Sequence, residues 1–258
     1  MRHAALHSAA ASLRAHWRSA AVAGLLLLLA FTLKRAYSSA GADALGWVLV
    51  PSCWLAVHAG GLSLAYEPGA GFISHASRMV VGPACAGVNF LVVAWLALYF
   101  GAQAHFASMR RKLAWLGASG ACAYLATIAI NGQRIILAAH LFGADIYGGV
   151  LTRPRVHLLL GVVLYCGTLL LACEVIERRL SRTRAAIRTR AAALRARSAP
   201  LLWYLGVVLL VPLLRRAWSG DPRRFAEHAV LTLGVTCAVA GCGWLFGTLL
   251  DRLQSREP

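Results

Sequence analysis

The sequence predicts an all-α fold, a polytopic integral membrane bundle of about seven (six to eight) transmembrane helices. Hydrophobic residues make up 59% of the chain, and mean hydropathy is +0.65. Several apolar runs reach the roughly 20 residues that, at about 1.5 Å per residue, cross a hydrocarbon core of about 30 Å. The 26 Lys+Arg and 9 Asp+Glu lie mostly between those runs. A soluble domain of this length would instead spread its charges along amphipathic faces.

Taken in order, the first span is expected at 19–33, preceded by Arg14 and Arg18 and followed by Lys34-Arg35. No small-residue cleavage site follows it, so it reads as a retained helix rather than a signal peptide. The second is expected at 44–65 and the third at 79–100, the latter interrupted near its start by Pro83 and Gly87. The fourth, 113–142, is long, and Asn131-Gly132 marks an expected weak point just before Arg134. The fifth, 156–176, opens on His157. The sixth, 200–214, is short and contains Pro212, which suits a re-entrant or mismatched segment; the seventh is 227–250. Trp47, Tyr66, Tyr99, Trp115 and Trp203 lie near span ends, where aromatic belts form. The chain divides into a membrane core, 1–176, an arginine-rich loop, 177–199, and additional membrane segments, 200–258.

The net charge of +17 would suggest nucleic acid in a soluble protein, but residues 177–198 alone hold eight arginines against one acid. Between membrane spans such a cluster reads as a cytoplasmic loop lying on anionic lipid. No interleaved aromatic platform accompanies it, which argues against nucleic acid as a partner. Counting back from that loop puts 101–112 and Lys34-Arg35 on the cytoplasmic side, with 66–78 and 143–155 outside. The same count places the amino terminus outside, against the sense of Arg2, Arg14 and Arg18, and the four arginines of 215–226 conflict as well.

All seven cysteines (53, 85, 122, 166, 173, 237, 242) fall within apolar runs, without CxxC or metal-type spacing. Neither a disulfide framework nor a metal site is indicated. No HExxH, GxSxG or intramembrane aspartate pair occurs, since Asp43, Asp145, Asp221 and Asp251 lie in loops or tails. Among membrane-embedded hydrolytic chemistries, that leaves cysteine.

Arg134 stands in an otherwise uncharged run of thirty residues, 113–142. A guanidinium at that depth costs about 2.5–3.5 kcal/mol on insertion scales, so it needs a partner and a purpose. Cys85 follows Pro83 and precedes Gly87, a setting that opens the backbone around a thiol. A histidine would activate that thiol; by spacing alone His157, His140 and His75 all qualify. Arg134 would hold an oxyanion or a carboxylate through its rigid fork of donors.

Three motifs carry a family resemblance: Gly82-Pro83-Ala84-Cys85-Ala86-Gly87-Val88-Asn89-Phe90, then Asn131-Gly132-Gln133-Arg134-Ile135, then His157 followed by Gly161-Val162-Val163-Leu164-Tyr165. Together they resemble the exosortase/archaeosortase family, and the Cys-Ala-Gly-Val-Asn-Phe form is most similar to its exosortase K branch. The resemblance covers roughly 20–176 and leaves 180–258 outside it. It implies a membrane cysteine peptidase or transpeptidase with Cys85, Arg134 and His157 catalytic and no metal or organic cofactor. Asn89 and Asn131, which lie in the same motifs, are expected to contact substrate. The implied substrates are exported proteins ending in a short motif, a hydrophobic span and a basic tail. The implied setting is the bacterial inner membrane, with the site toward the periplasm and lipid as the surrounding partner. The rival expectations are a small transporter or assembly factor binding an anionic group at Arg134, and a catalytically silent family member.

Overall fold

The computed structural model describes residues 2–106, 108–144, 147–148 and 152–181, with five isolated positions at 230, 233, 234, 237 and 241. The spans expected at 200–214 and 227–250, and the arginine-rich segment beyond 181, lie outside the described residues apart from those five. The described chain forms α1 (Arg2–Ser39), α2 (Gly46–Gly60), strands β1 (Ala65–Glu67), β2 (Gly71–Ser74) and β3 (Met79–Val81), then α3 (Val88–Ala102), α4 (Met109–Phe142) and α5 (Arg153–Ser181). Four segments among the described residues are long and apolar enough to cross a membrane: Ser19–Ser39, Pro83–Ala102, Met109–Phe142 and Arg155–Ile176.

The described chain is mostly helical, but not all-α. Residues 65–81 make a three-stranded antiparallel sheet in the order β1-β2-β3. Tyr66, Phe72, Ile73 and Val80 favour the pleat, and Pro68-Gly69 makes the turn. Gly71 is held at φ +106, where a Cβ would come within 2.5 Å of the Val81 carbonyl, so no side chain fits. Asp43 pins the hairpin by accepting from the Tyr66 hydroxyl and, at 3.0 Å, from the Gly69 N–H. Those donors, Tyr66 foremost, hold the Asp43 carboxyl below the usual carboxylate range.

Three expected spans change shape. α2 has 15 residues, about 22 Å, and so falls short of a bilayer core. It stops at Gly61, which turns left-handed (φ 64) and caps the carbonyls of Ala56 and Val57. The third span loses its first residues to β3, and its helix begins only at Val88, after a 3₁₀ turn at Pro83–Cys85. Cys85 therefore precedes the helix instead of lying within it. α4 runs 34 residues without a break at Asn131-Gly132. Gly132 serves close packing there: a Cβ would lie 2.7 Å from Leu55 Cδ2 of α2.

The crossing helices alternate in direction. At one end Lys34 of α1 donates to Asn89 Oδ1, and the Tyr37 hydroxyl donates to the Pro83 carbonyl at 3.2 Å. That end also holds the last turns of α4 and the first of α5. At the other, Lys112 donates to Ser19 Oγ and Trp115 Nε1 to the Leu98 carbonyl at 3.2 Å. Lys34 and Lys112, placed on one side by the loop-charge count, thus sit at opposite ends of the bundle. The reason is that α1 continues five residues past Lys34, to Ser39, while α2, at 15 residues, is shorter than a crossing helix. The core lies around α3, where Phe90, Val93, Ala97 and Tyr99 are buried against α1, α4 and α5.

Candidate active site

Gly87 sets the site. At φ +72 it turns the chain from the 3₁₀ turn into α3, and a Cβ there would lie 3.2 Å from Asn131 Cγ and 3.3 Å from the Tyr165 hydroxyl. Only glycine lets the Cys85 turn press against α4 and α5 in this way. Asn131, fully buried, then donates from Nδ2 to the Cys85 carbonyl at 2.7 Å.

Cys85 Sγ lies 3.8 Å from His157 Nε2. The same nitrogen is 2.6 Å from an Arg134 terminal nitrogen, Nη2. A guanidinium only donates, so Nε2 accepts and the neutral ring carries its proton on Nδ1. Nη1 donates to the Tyr165 hydroxyl at 3.1 Å, and Tyr165 donates onward to Asn131 Oδ1 at 2.9 Å. Its ring stacks on Phe90 with centroids 4.7 Å apart.

Arg134 is 8% exposed and meets no carboxylate among the described residues. Hydrogen bonds from a charged group contribute roughly 1.5–3 kcal/mol each. Two of them match an insertion cost of about 2.5–3.5 kcal/mol, so a buried acid is not required. Nε remains without a hydrogen-bond partner among the described residues. It faces Gly161, where a Cβ would stand 3.2 Å away.

The three residues expected to act together meet, although 72 residues separate Cys85 from His157 and 23 separate Arg134 from His157. The rival histidines do not join them. His140 Nδ1 donates to the Ile136 carbonyl at 2.8 Å on an exposed face, and His75 pairs with Glu67 at 3.9 Å beside the sheet. The expected substrate contacts are differently used: both ends of the Asn131 amide bond within the protein, and Asn89 Oδ1 accepts from Lys34.

Sequence reasoning missed Tyr165 as a partner and Lys34 as a site-side residue. A signal for Lys34 existed: a fifteen-residue first span is about 22 Å long, too short to cross, so the helix had to take Lys34 with it. Tyr165 offered none beyond its place in a motif. No group of three or more His, Cys, Asp or Glu suited to a metal occurs among the described residues. No family model, curated protein or solved structure matches the chain.

Proposed function

We propose that the chain is a membrane-embedded cysteine peptidase-transpeptidase that acts on the carboxy-terminal sorting signals of exported proteins. The observation that carries this is the convergence on one nitrogen, His157 Nε2, of a thiol at 3.8 Å and a guanidinium at 2.6 Å. A free thiol, a base and a fixed cation are the parts that acyl transfer requires. The substrate class comes from the motif resemblance to the exosortase/archaeosortase family.

In this reading Arg134 Nη2 releases His157 Nε2, whose freed lone pair takes the thiol proton as Cys85 Sγ attacks the scissile carbonyl. The released Nη2 donor of Arg134, on the side that shares His157 with Cys85, bonds the oxyanion. Collapse breaks the C–N bond, and the leaving amine takes the proton from His157. Water or an acceptor amine then attacks the thioester, giving its proton to His157 and restoring the thiol. No step needs a metal or organic cofactor.

The orientation is read from charge. In the observed arrangement the amino-terminal arginines, the α3–α4 connection with Arg110-Arg111-Lys112, and the end of α5 leading into 177–198 share one end. Under the positive-inside rule that end is cytoplasmic, and the Cys85 end faces the periplasm of a bacterial inner membrane. The earlier conflict at Arg2, Arg14 and Arg18 disappears with α2 no longer counted as a crossing.

Co-expression with a protein bearing a motif–hydrophobic span–basic tail tests the reading. Cys85→Ala, Arg134→Ala and His157→Ala should each abolish its processing with membrane insertion intact, and the losses should not add. Continued processing by Cys85→Ala would end the mechanism.

A further inference from the structure

We infer that Tyr165, acting through Asn131, is a positioning residue that ties the direction of the Arg134 guanidinium to the placement of the Cys85 turn; the inference rests on the acyl-transfer reading above. The hydrogen bonds run one way. Arg134 Nη1 donates to Tyr165 at 3.1 Å, Tyr165 donates to Asn131 Oδ1 at 2.9 Å, and Asn131 Nδ2 donates to the Cys85 carbonyl at 2.7 Å. The order is forced at both ends, because a guanidinium cannot accept and a carbonyl cannot donate. Tyr165 must therefore turn its lone pair to Arg134 and its hydrogen to Asn131. That also fixes which amide atom of Asn131 faces Cys85.

The ring is as constrained as the hydroxyl. It stacks on Phe90 at 16° between planes, the Arg134 guanidinium carbon lies 5.5 Å from its centroid, and a Cβ at Gly87 would stand only 3.3 Å from its oxygen. Phe90 and Cys85 flank the same turn, so the ring and the relay register α5 on the segment that bears the nucleophile. Among the described residues Arg134 meets no carboxylate, and these neutral acceptors orient it. Low-dielectric surroundings make such a satisfied chain rigid, and removing one member frees the others to reorient.

A positioning role for the cation predicts a selective defect. Reaction of Cys85 with iodoacetamide forms an S–C bond, expels iodide and releases the thiol proton, with no oxyanion at any stage. Acetylation by p-nitrophenyl acetate forms the S–C bond through a tetrahedral oxyanion and expels p-nitrophenolate, the thiol proton passing to His157 and then to solvent. Both rates can be followed at Cys85 by peptide mass spectrometry on the full chain in detergent micelles.

Tyr165→Phe keeps the stacked ring and removes the relay. It should slow acetylation at least tenfold and change alkylation less than threefold. Asn131→Ala should show the same split, and the double variant should be no more than twofold slower than the slower single one. Equal slowing of both reactions by Tyr165→Phe, unchanged acetylation, or multiplying losses in the double variant would overturn the positioning role. Wild-type Cys85 acetylated no faster than the exposed Cys122 would instead remove the acyl-transfer reading, and the relay with it.

Discussion

A single methyl group tests the geometry around Arg134. In Gly161→Ala the new carbon would lie 3.2 Å from Nε, closer than ordinary contact, on the side where the buried donor is unspent. Processing should fall about tenfold, as small misplacements near reacting groups do, while the helix gains propensity and insertion holds. Gly87→Ala attacks the backbone instead. Its φ of +72 costs a β-carbon roughly 1–2 kcal/mol, and the contacts with Asn131 and Tyr165 add to that. Thermal unfolding in detergent should show a lower midpoint, and Cys85 should become more accessible to alkylation. At this scale much was legible, because buried charge and helix-breaking residues are expensive wherever they occur. Cys85, Arg134 and His157 each broke an apolar pattern, although spacing left three histidines open and the motif resemblance chose among them. Tyr165 broke no pattern, since a tyrosine sits cheaply in a membrane helix until its hydroxyl must be paired. Asn131 was conspicuous in the sequence, but the partners it has in the structure, the Cys85 carbonyl and the Tyr165 hydroxyl, were not legible there.

The sheet and α2 are the elements the apolar pattern misread. A run of hydrophobic residues reports burial, and helix α2, β3 and the 3₁₀ turn at Cys85 are all apolar. The deciding signals were local: the Pro68-Gly69 turn, the left-handed Gly61, and glycines at 82 and 87 bracketing the cysteine. Asn131-Gly132 misled in the opposite sense, because a glycine chosen for close approach to Leu55 looks the same as one chosen to loosen a helix. The hairpin's attachment through Asp43 gives a pH test. Its carboxyl is held down by Tyr66 and then by Gly69, so the tether is complete above about 3.9, the ordinary aspartate value, and is lost as pH falls through the lower folded value. Hydrogen exchange across 65–74 should accelerate on acidification in that window. Asp43→Asn should show the faster exchange already at neutral pH and no further acid response. Equal exchange in both proteins at pH 7 would mean that the hairpin does not depend on this contact.

For the whole molecule, the membrane character was legible from composition, and the pairing of ends was not. Counting 44–65 as a crossing, where the structure has a 15-residue helix, reversed the expected end for everything upstream, so Lys34 was paired with Lys112 although the structure places them at opposite ends of the bundle. Single-cysteine variants make the arrangement measurable. Ser77→Cys, beside the sheet, should react with a membrane-impermeant maleimide in intact cells. Ser108→Cys, at the start of α4, should react only after permeabilisation. The reverse pattern would put the site toward the cytoplasm. The wide separation of the site residues along the chain also has a consequence for biosynthesis. At about 5–20 residues per second, the 72 residues between Cys85 and His157 take about 4–14 s to synthesise, and α5 must then insert before the histidine can reach the thiol. Throughout that interval the nascent chain holds the Cys85 thiol without its imidazole neighbour. The cluster is complete only once α5, the last of the four crossing-length segments among the described residues, is in place; under the proposed function, a ribosome stalled before α5 would leave an inert product rather than an unregulated peptidase.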